Sequence, residues 1–188
     1  MLKAVLTTLI MICLACYPII VYVGLTRFNS QIITVLLLFL LGLRLWLSRA
    51  LFDKMPWLKP ATFLAAITIL ISKVMDSDLG LRLYPVIINL VMLVVFAYSL
   101  YKGPSIIETF ARITEPSLDE NALIYTKKVT LVWCVFFVLN GGIALYTSIF
   151  SSLETWAFYN GFIAYLAMGT LFAIEWLVRQ KVKRNAGV

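Results

Sequence analysis

Hydrophobic residues along this chain gather in six long runs, and polar and charged residues collect between them. The runs cover residues 4–25, 32–47, 61–74, 85–101, 129–150 and 156–178. A helix that crosses the hydrocarbon of a bilayer needs about 20 mostly apolar residues. The first, fifth and sixth runs meet that length directly. The second and fourth reach it through polar-flanked residues. The third is the shortest and ends at Lys73 and Asp76. The pattern predicts an all-α polytopic membrane protein, with one transmembrane domain over residues 1–188.

Basic residues test the short third run and set the orientation. Positive charge concentrates in cytoplasmic loops. With six transmembrane helices and both termini in the cytoplasm, thirteen of the sixteen Lys and Arg lie inside, and only Arg27, Lys73 and Arg82 lie outside. If the third run does not span, the division becomes nine against seven. The six-helix topology is therefore expected, with residues of about 102–128 forming a cytoplasmic amphipathic loop. Within it, Pro104 and Ser105 can open a helix in which Ile106, Ile107, Phe110 and Ile113 share one face. Glu108, Arg112 and Glu115 fall elsewhere. Ser117-Leu-Asp-Glu120 then reads as a capping box before a second short helix. Such helices lie on the inner leaflet or against helix ends; a protein partner at the 102–128 loop is the sharper alternative.

Composition agrees with a lipid solvent. Hydrophobic residues make up 62% of the 188 and charged residues 13%, against roughly 45–50% and ~25% in soluble domains. Mean hydropathy is +0.96. A soluble enzyme, a secreted disulfide scaffold and a disordered tail are excluded. The net charge of +7 belongs to the flanks of spans, so membrane lipids are the expected partners and nucleic acid is not. The chain has no His, which removes imidazole bases, imidazole metal ligands and His proton relays. Cys13, Cys16 and Cys134 sit in apolar runs and read as small packing residues. The apolar run continues past Cys16 to Leu25, so the first segment reads as a retained anchor rather than a cleaved signal.

Ionisable and amide side chains inside lipid are expensive, which makes each a candidate for function. Arg44 and Glu175 fall at similar depth near the inner ends of the second and sixth helices and can pair. Arg44 can equally snorkel to the interface, and Glu175 reads as an ion-pair partner or a functional acid. Asn89, Asn140 and Asn160 lie on the fourth, fifth and sixth helices. Asn140, about eleven residues or ~17 Å into its helix, falls near the bilayer middle and precedes Gly141-Gly142. Bonds between helices are the plain reading of these amides, and contact with a polar substrate is the alternative. Tyr17-Pro18 and Tyr84-Pro85 both fall toward the outer side, an echo that suits an inverted repeat of three helices each. Asp76, Asp78, Arg82 and Tyr84 form a charged outer cluster that reads as a solvated loop. Trp133, Trp156 and Trp176 sit near helix ends, as an aromatic belt would place them. No catalytic set, phosphate-cradling glycine loop, cofactor site or metal-ligand cluster is evident.

Three strings carry a resemblance. YPVIINL at 84–90, YTKKVTLVWCVFFVLNG at 125–141 and YNGFIAYLAMGTLFAIEWLVR at 159–179 resemble a family of small bacterial inner-membrane proteins. Members of that family tend to be encoded with genes for aryl polyene or xanthomonadin-type pigment lipids. The stretch from the loop into WCVFF and NG is also distantly similar to the intracellular septation protein A family. The resemblance covers about residues 84–184; before that only hydrophobicity and the Tyr-Pro pair match. It implies a Gram-negative inner membrane and a link to envelope lipids, and supplies no catalytic residues. The expected function is that of a non-enzymatic accessory protein for biosynthesis or export of a polyene-type envelope lipid. A small transporter or flippase for a lipid-linked substrate, for which a homodimer is expected, and a septation or envelope scaffold are the alternatives.

Overall fold

A computed structural model describes residues 16–27, 35, 39, 42–43, 67 and 78–185. The expected spans at 32–47 and 61–74, Arg44, and most of the first run lie outside the continuous described stretches. Among the described residues every regular element is helical: α1 (Tyr17–Arg27), α2 (Leu79–Arg82), α3 (Tyr84–Lys102), α4 (Ile106–Thr114), α5 (Glu120–Phe150), α6 (Leu153–Phe158), a π-helical turn (Tyr159–Ile163) and α7 (Ala164–Asn185). Among the described residues three stretches are long and apolar enough to cross a membrane: Leu79–Lys102, Glu120–Phe150 and Leu153–Val182.

The central helix is α5. In its apolar window 39% of residues are buried, against 6% for Leu153–Val182. Its main partner is α3. Phe96 of α3 packs on Val129, Trp133, Cys134 and Phe137 of α5, and Phe96 and Phe137 meet edge-on at 5.1 Å between ring centres. Cys134 is thus a small packing residue, as its apolar setting implied. A second cluster closes the far end of the bundle, where Tyr17 and Val21 of α1 meet Leu81, Tyr84, Trp156 and Ala157. Leu90, Val94, Leu131, Val135, Val138 and Leu139 point outward and remain exposed, which suits side chains whose solvent is hydrocarbon.

The expected capping box at Ser117 and the separate short helix after it are both corrected. The N-cap is Asp119, whose carboxylate accepts from the Ala122 amide at 2.8 Å. From Glu120 the helix runs unbroken to Phe150. Neither Pro nor Gly occurs between 120 and 140, and Lys127-Lys128 are good helix formers with exposed side chains. Thirty-one residues at 1.5 Å each exceed the ~30 Å hydrocarbon thickness, so the helix projects well beyond one surface.

The reading of α4 holds in its start, and in its face for Ile106 and Ile107. Ser105 is the N-cap and accepts from the Glu108 amide at 3.2 Å. Before it, Gly103 ends α3 at φ +41°, a left-handed backbone that disfavours a side chain, and its amide bonds the Ser99 carbonyl. Ser99 Oγ accepts from the Ile106 amide at 3.0 Å, tying α4 back to α3. Ile106 and Ile107 pack on the Phe96–Trp133 cluster. Phe110 and Ile113 stay exposed, Ile113 at 74%. Glu108 is buried instead, paired with Arg112 at 2.8 Å.

The aromatic-belt expectation fails for two of the three tryptophans. Trp156 is 0% exposed and Trp133 4%, both core residues, whereas Trp176 is exposed. Of the expected solvated outer cluster, Asp76 lies outside the described residues and Asp78 is exposed, but Tyr84 is buried and Arg82 does not face solvent freely. Arg82 turns inward and donates to the carbonyls of Thr147 and Ser151, at the end of α5. Its own carbonyl accepts from Ser148 Oγ at 2.8 Å and Trp156 Nε1 at 3.0 Å. A guanidinium among the last carbonyls of a helix meets the negative end of its dipole.

Candidate functional site

Two polar regions occupy the bundle at different depths. The first lies between α3, α5 and the π-helical turn. Asn140 Nδ2 donates to Asn89 Oδ1 at 3.0 Å, and Tyr159 Oη donates to Asn140 Oδ1 at 2.8 Å. Asn89 Nδ2 donates in turn to the Pro85 carbonyl at 2.8 Å. The result is a hydrogen-bonded chain across three segments. Sequence placed Asn89 and Asn140 on neighbouring helices, and the structure puts them in direct contact. Asn160 belongs to a separate link: its Nδ2 donates to the Trp156 carbonyl at 2.9 Å and lies 3.3 Å from Thr147 Oγ1 on α5.

Close approach of α3 and α5 makes the first chain possible. A Cβ built on Gly141 would stand 3.0 Å from Asn89 Cβ, whereas one on Gly142 would meet nothing within 4 Å. Of the two adjacent glycines, only the first stands at the close approach. The π-helical turn widens the helix by one residue at Tyr159–Ile163, and such turns recur at functional positions.

Tyr84 lies five residues before Asn89 on α3. Its ring lies 4.3 Å from that of Tyr17, whose hydroxyl donates to the Leu81 carbonyl at 2.6 Å. The two Tyr-Pro dipeptides therefore meet in space. Together with Asn89, Asn140 and Asn160 they border a cavity of about 100 Å³. At ~30 Å³ per water in the liquid, that is room for about three waters.

The second region lies at the α4 end. Glu175 of α7 accepts from Tyr125 of α5, whose hydroxyl is 3.3 Å from both the Glu175 carboxylate and the Glu175 carbonyl. The expected partner Arg44 lies outside the described residues. Glu115, Tyr125, Thr126, Glu175 and Arg179 line a cavity of about 380 Å³ together with apolar residues, Phe110, Trp133 and Phe172 among them.

Tyr159, Tyr17, Tyr125 and Arg82 were not singled out for these roles by the sequence. Their partners are carbonyls or side chains distant along the chain, and no periodicity marks such pairs. Only the repeat of Tyr-Pro carried a signal. Among the described residues no group of three His, Cys, Asp or Glu comes together to hold a metal. No protein-family model, curated protein or solved structure matches the chain.

Proposed function

We propose that this chain is an accessory protein of the bacterial inner membrane that supports biosynthesis or export of a polyene-type envelope lipid without catalysing a reaction itself. In this reading it crosses the membrane six times with both termini in the cytoplasm, and α4 lies on the inner leaflet. The observation that carries the reading is the division of labour between the two polar regions. The amides deep in the bundle bond one another and the protein backbone, which is the arrangement of a scaffold. The amphipathic layer at the α4 end instead leaves Ile113 outward, beside a cavity lined by apolar residues, Phe110 among them, and by Glu115, Tyr125, Glu175 and Arg179. That is a surface suited to an amphiphile entering from the leaflet.

Deletion of the gene followed by analysis of extractable envelope lipid tests the proposal. Loss or mislocation of the polyene lipid is the expected result. Unchanged amount and location would remove the function.

The small cavity beside Asn89, Asn140 and Asn160 favours a second reading, a transporter or flippase. There Asn140→Leu would abolish the lipid phenotype while the protein accumulated normally. Full function at normal accumulation would leave Asn140 as a packing residue.

A further inference from the structure

We infer that the π-helical turn Tyr159–Ile163 is a hinge with two settings, and that the Tyr159 hydroxyl, bonded to Asn140, is its latch. In the latched setting α7 presents Phe172 and Glu175 to α5. In the other, α7 is turned by about 100°, one residue's advance along a helix, and presents Leu171 and Ile174. The hinge depends on neither lipid export nor transport.

The turn holds one residue more than α-helical bonding has room for. The Ala164 amide bonds the Tyr159 carbonyl, five residues back, where an α-helix bonds four back. Wide turns of this kind are rare and occur singly inside α-helices. The extra residue sets the phase of everything after it. If the turn tightens to α-helical bonding, that phase shifts by one position, so Leu171 takes the place of Phe172 and Ile174 that of Glu175.

Two side chains pin the wide setting to α5. Tyr159 Oη donates to Asn140 Oδ1 at 2.8 Å, and Asn140 is itself bonded to Asn89 of α3. Asn160 Nδ2 lies 3.3 Å from Thr147 Oγ1 and 2.9 Å from the Trp156 carbonyl. Further along, the Trp133–Phe172 ring contact at 4.6 Å and the Tyr125–Glu175 bond at 3.3 Å hold the same phase.

The surroundings of α7 permit the other setting. Leu166, Phe172, Ile174, Trp176, Leu177 and Val178 are all exposed. Lipid tails are as apolar as these side chains, so exchanging one face for another loses little. Glu175, once turned away from Tyr125, can pair with Arg179 four residues on. A cavity of about 100 Å³ lies beside the turn, with Asn160 and Ala164 in its lining, and gives it room to tighten. Phe172 and Glu175 both line the larger cavity. The bond at Asn140 thus controls which residues of α7 wall the cavity at the α4 end.

Distances between spin labels test the hinge. The full chain, with Cys13→Ala, Cys16→Ala and Cys134→Ala, is labelled at Lys128→Cys on α5 and Lys181→Cys on α7, both exposed positions, in phosphatidylcholine nanodiscs. A turn of 100° moves a label on α7 by up to ~8 Å, the chord on a helix of ~5–6 Å radius. One narrow distance is expected while the latch is whole. Tyr159→Phe, alone and with Asn160→Leu, should add a second distance, more of it in the double variant. Deletion of Phe162 removes the extra residue and keeps the later phase. It should preserve the first distance and suppress the second in the unlatched chain. A single unchanged distance in both unlatched variants, or a second distance that survives the deletion, would overturn the inference. If the unlatched chains do not fold, deletion of Phe162 alone decides. An unchanged distance supports the extra residue, and one shifted by several Å would overturn it.

Discussion

At the scale of single residues, Asn140 shows how a membrane protein satisfies an amide that lipid cannot. It sits ten residues before the end of α5, about 15 Å along the axis, and every unsatisfied polar group at such depth costs several kcal/mol. Asn89 and Tyr159 take up that requirement between them. Asn140→Leu should therefore lower stability in detergent by about 0.6–2 kcal/mol, the span of measured membrane hydrogen bonds. Thermal unfolding of the purified protein checks this. Asn89→Leu in the same background should cost less than it does alone, because its partner has already gone. Strictly additive losses would show that the two amides do not interact.

Among the elements, the packing of α3 on α5 depends on the missing side chain at Gly141. Gly141→Ala places a Cβ 3.0 Å from Asn89 Cβ, and overpacking of that kind costs about 1–3 kcal/mol. Gly142→Ala meets nothing and should be neutral or stabilise by about 0.5–1 kcal/mol through better helix propensity. Opposite shifts in melting temperature for adjacent glycines are the expected signature; equal shifts would mean that α3 does not approach as closely as the structure places it. The start of α4 rests on Ser105, which is buried and accepts from the Glu108 amide. Removal of such a cap typically costs ~1 kcal/mol. In a helix of nine residues that loss should be local, so Ser105→Ala should speed amide exchange across 106–114 and leave α5 protected. Global destabilisation with no local change would contradict it.

For the whole molecule, three helices able to cross the bilayer fix relative sides. If Leu79–Lys102, Glu120–Phe150 and Leu153–Val182 each cross once, the α3–α5 connection and the α5–α6 connection face opposite compartments. With the positive-inside arrangement, reporter fusions at Ser117 and Val188 should read cytoplasmic and those at Asp78 and Ser152 periplasmic. A cytoplasmic reading at Asp78 would show that Leu79–Lys102 does not cross, and a periplasmic reading at Asp53 would show that the run at 61–74 does not cross and would invert everything before it.

Helical spans at 85–101, 129–150 and 156–178 were legible because lipid demands an uninterrupted apolar run, and a run is a one-dimensional property. The amphipathic α4 and its Ser105 cap were legible for the same kind of reason: face and cap are set by neighbours three or four residues away. Membrane amides at Asn89, Asn140 and Asn160 stood out because they violate the surrounding pattern. Contacts between distant residues were decided only by tertiary structure. Trp133 and Trp156 look like interface anchors in sequence, since apolar flanks and nearby polar residues suit either role; burial came from Phe96 and Phe137 around one and the Arg82 carbonyl beside the other. Arg82 read as solvated because its acceptors, the carbonyls of Thr147 and Ser151, carry no sequence signature. The continuity of α5 through Lys127-Lys128 escaped the hydrophobic pattern because an apolar run marks only the part of a helix that lipid surrounds, not where the helix itself begins. Tyr125 and Glu175 are fifty residues apart, and the cavity they line takes residues from α4, α5 and α7; volume is a property of the packed bundle, not of any run along the chain.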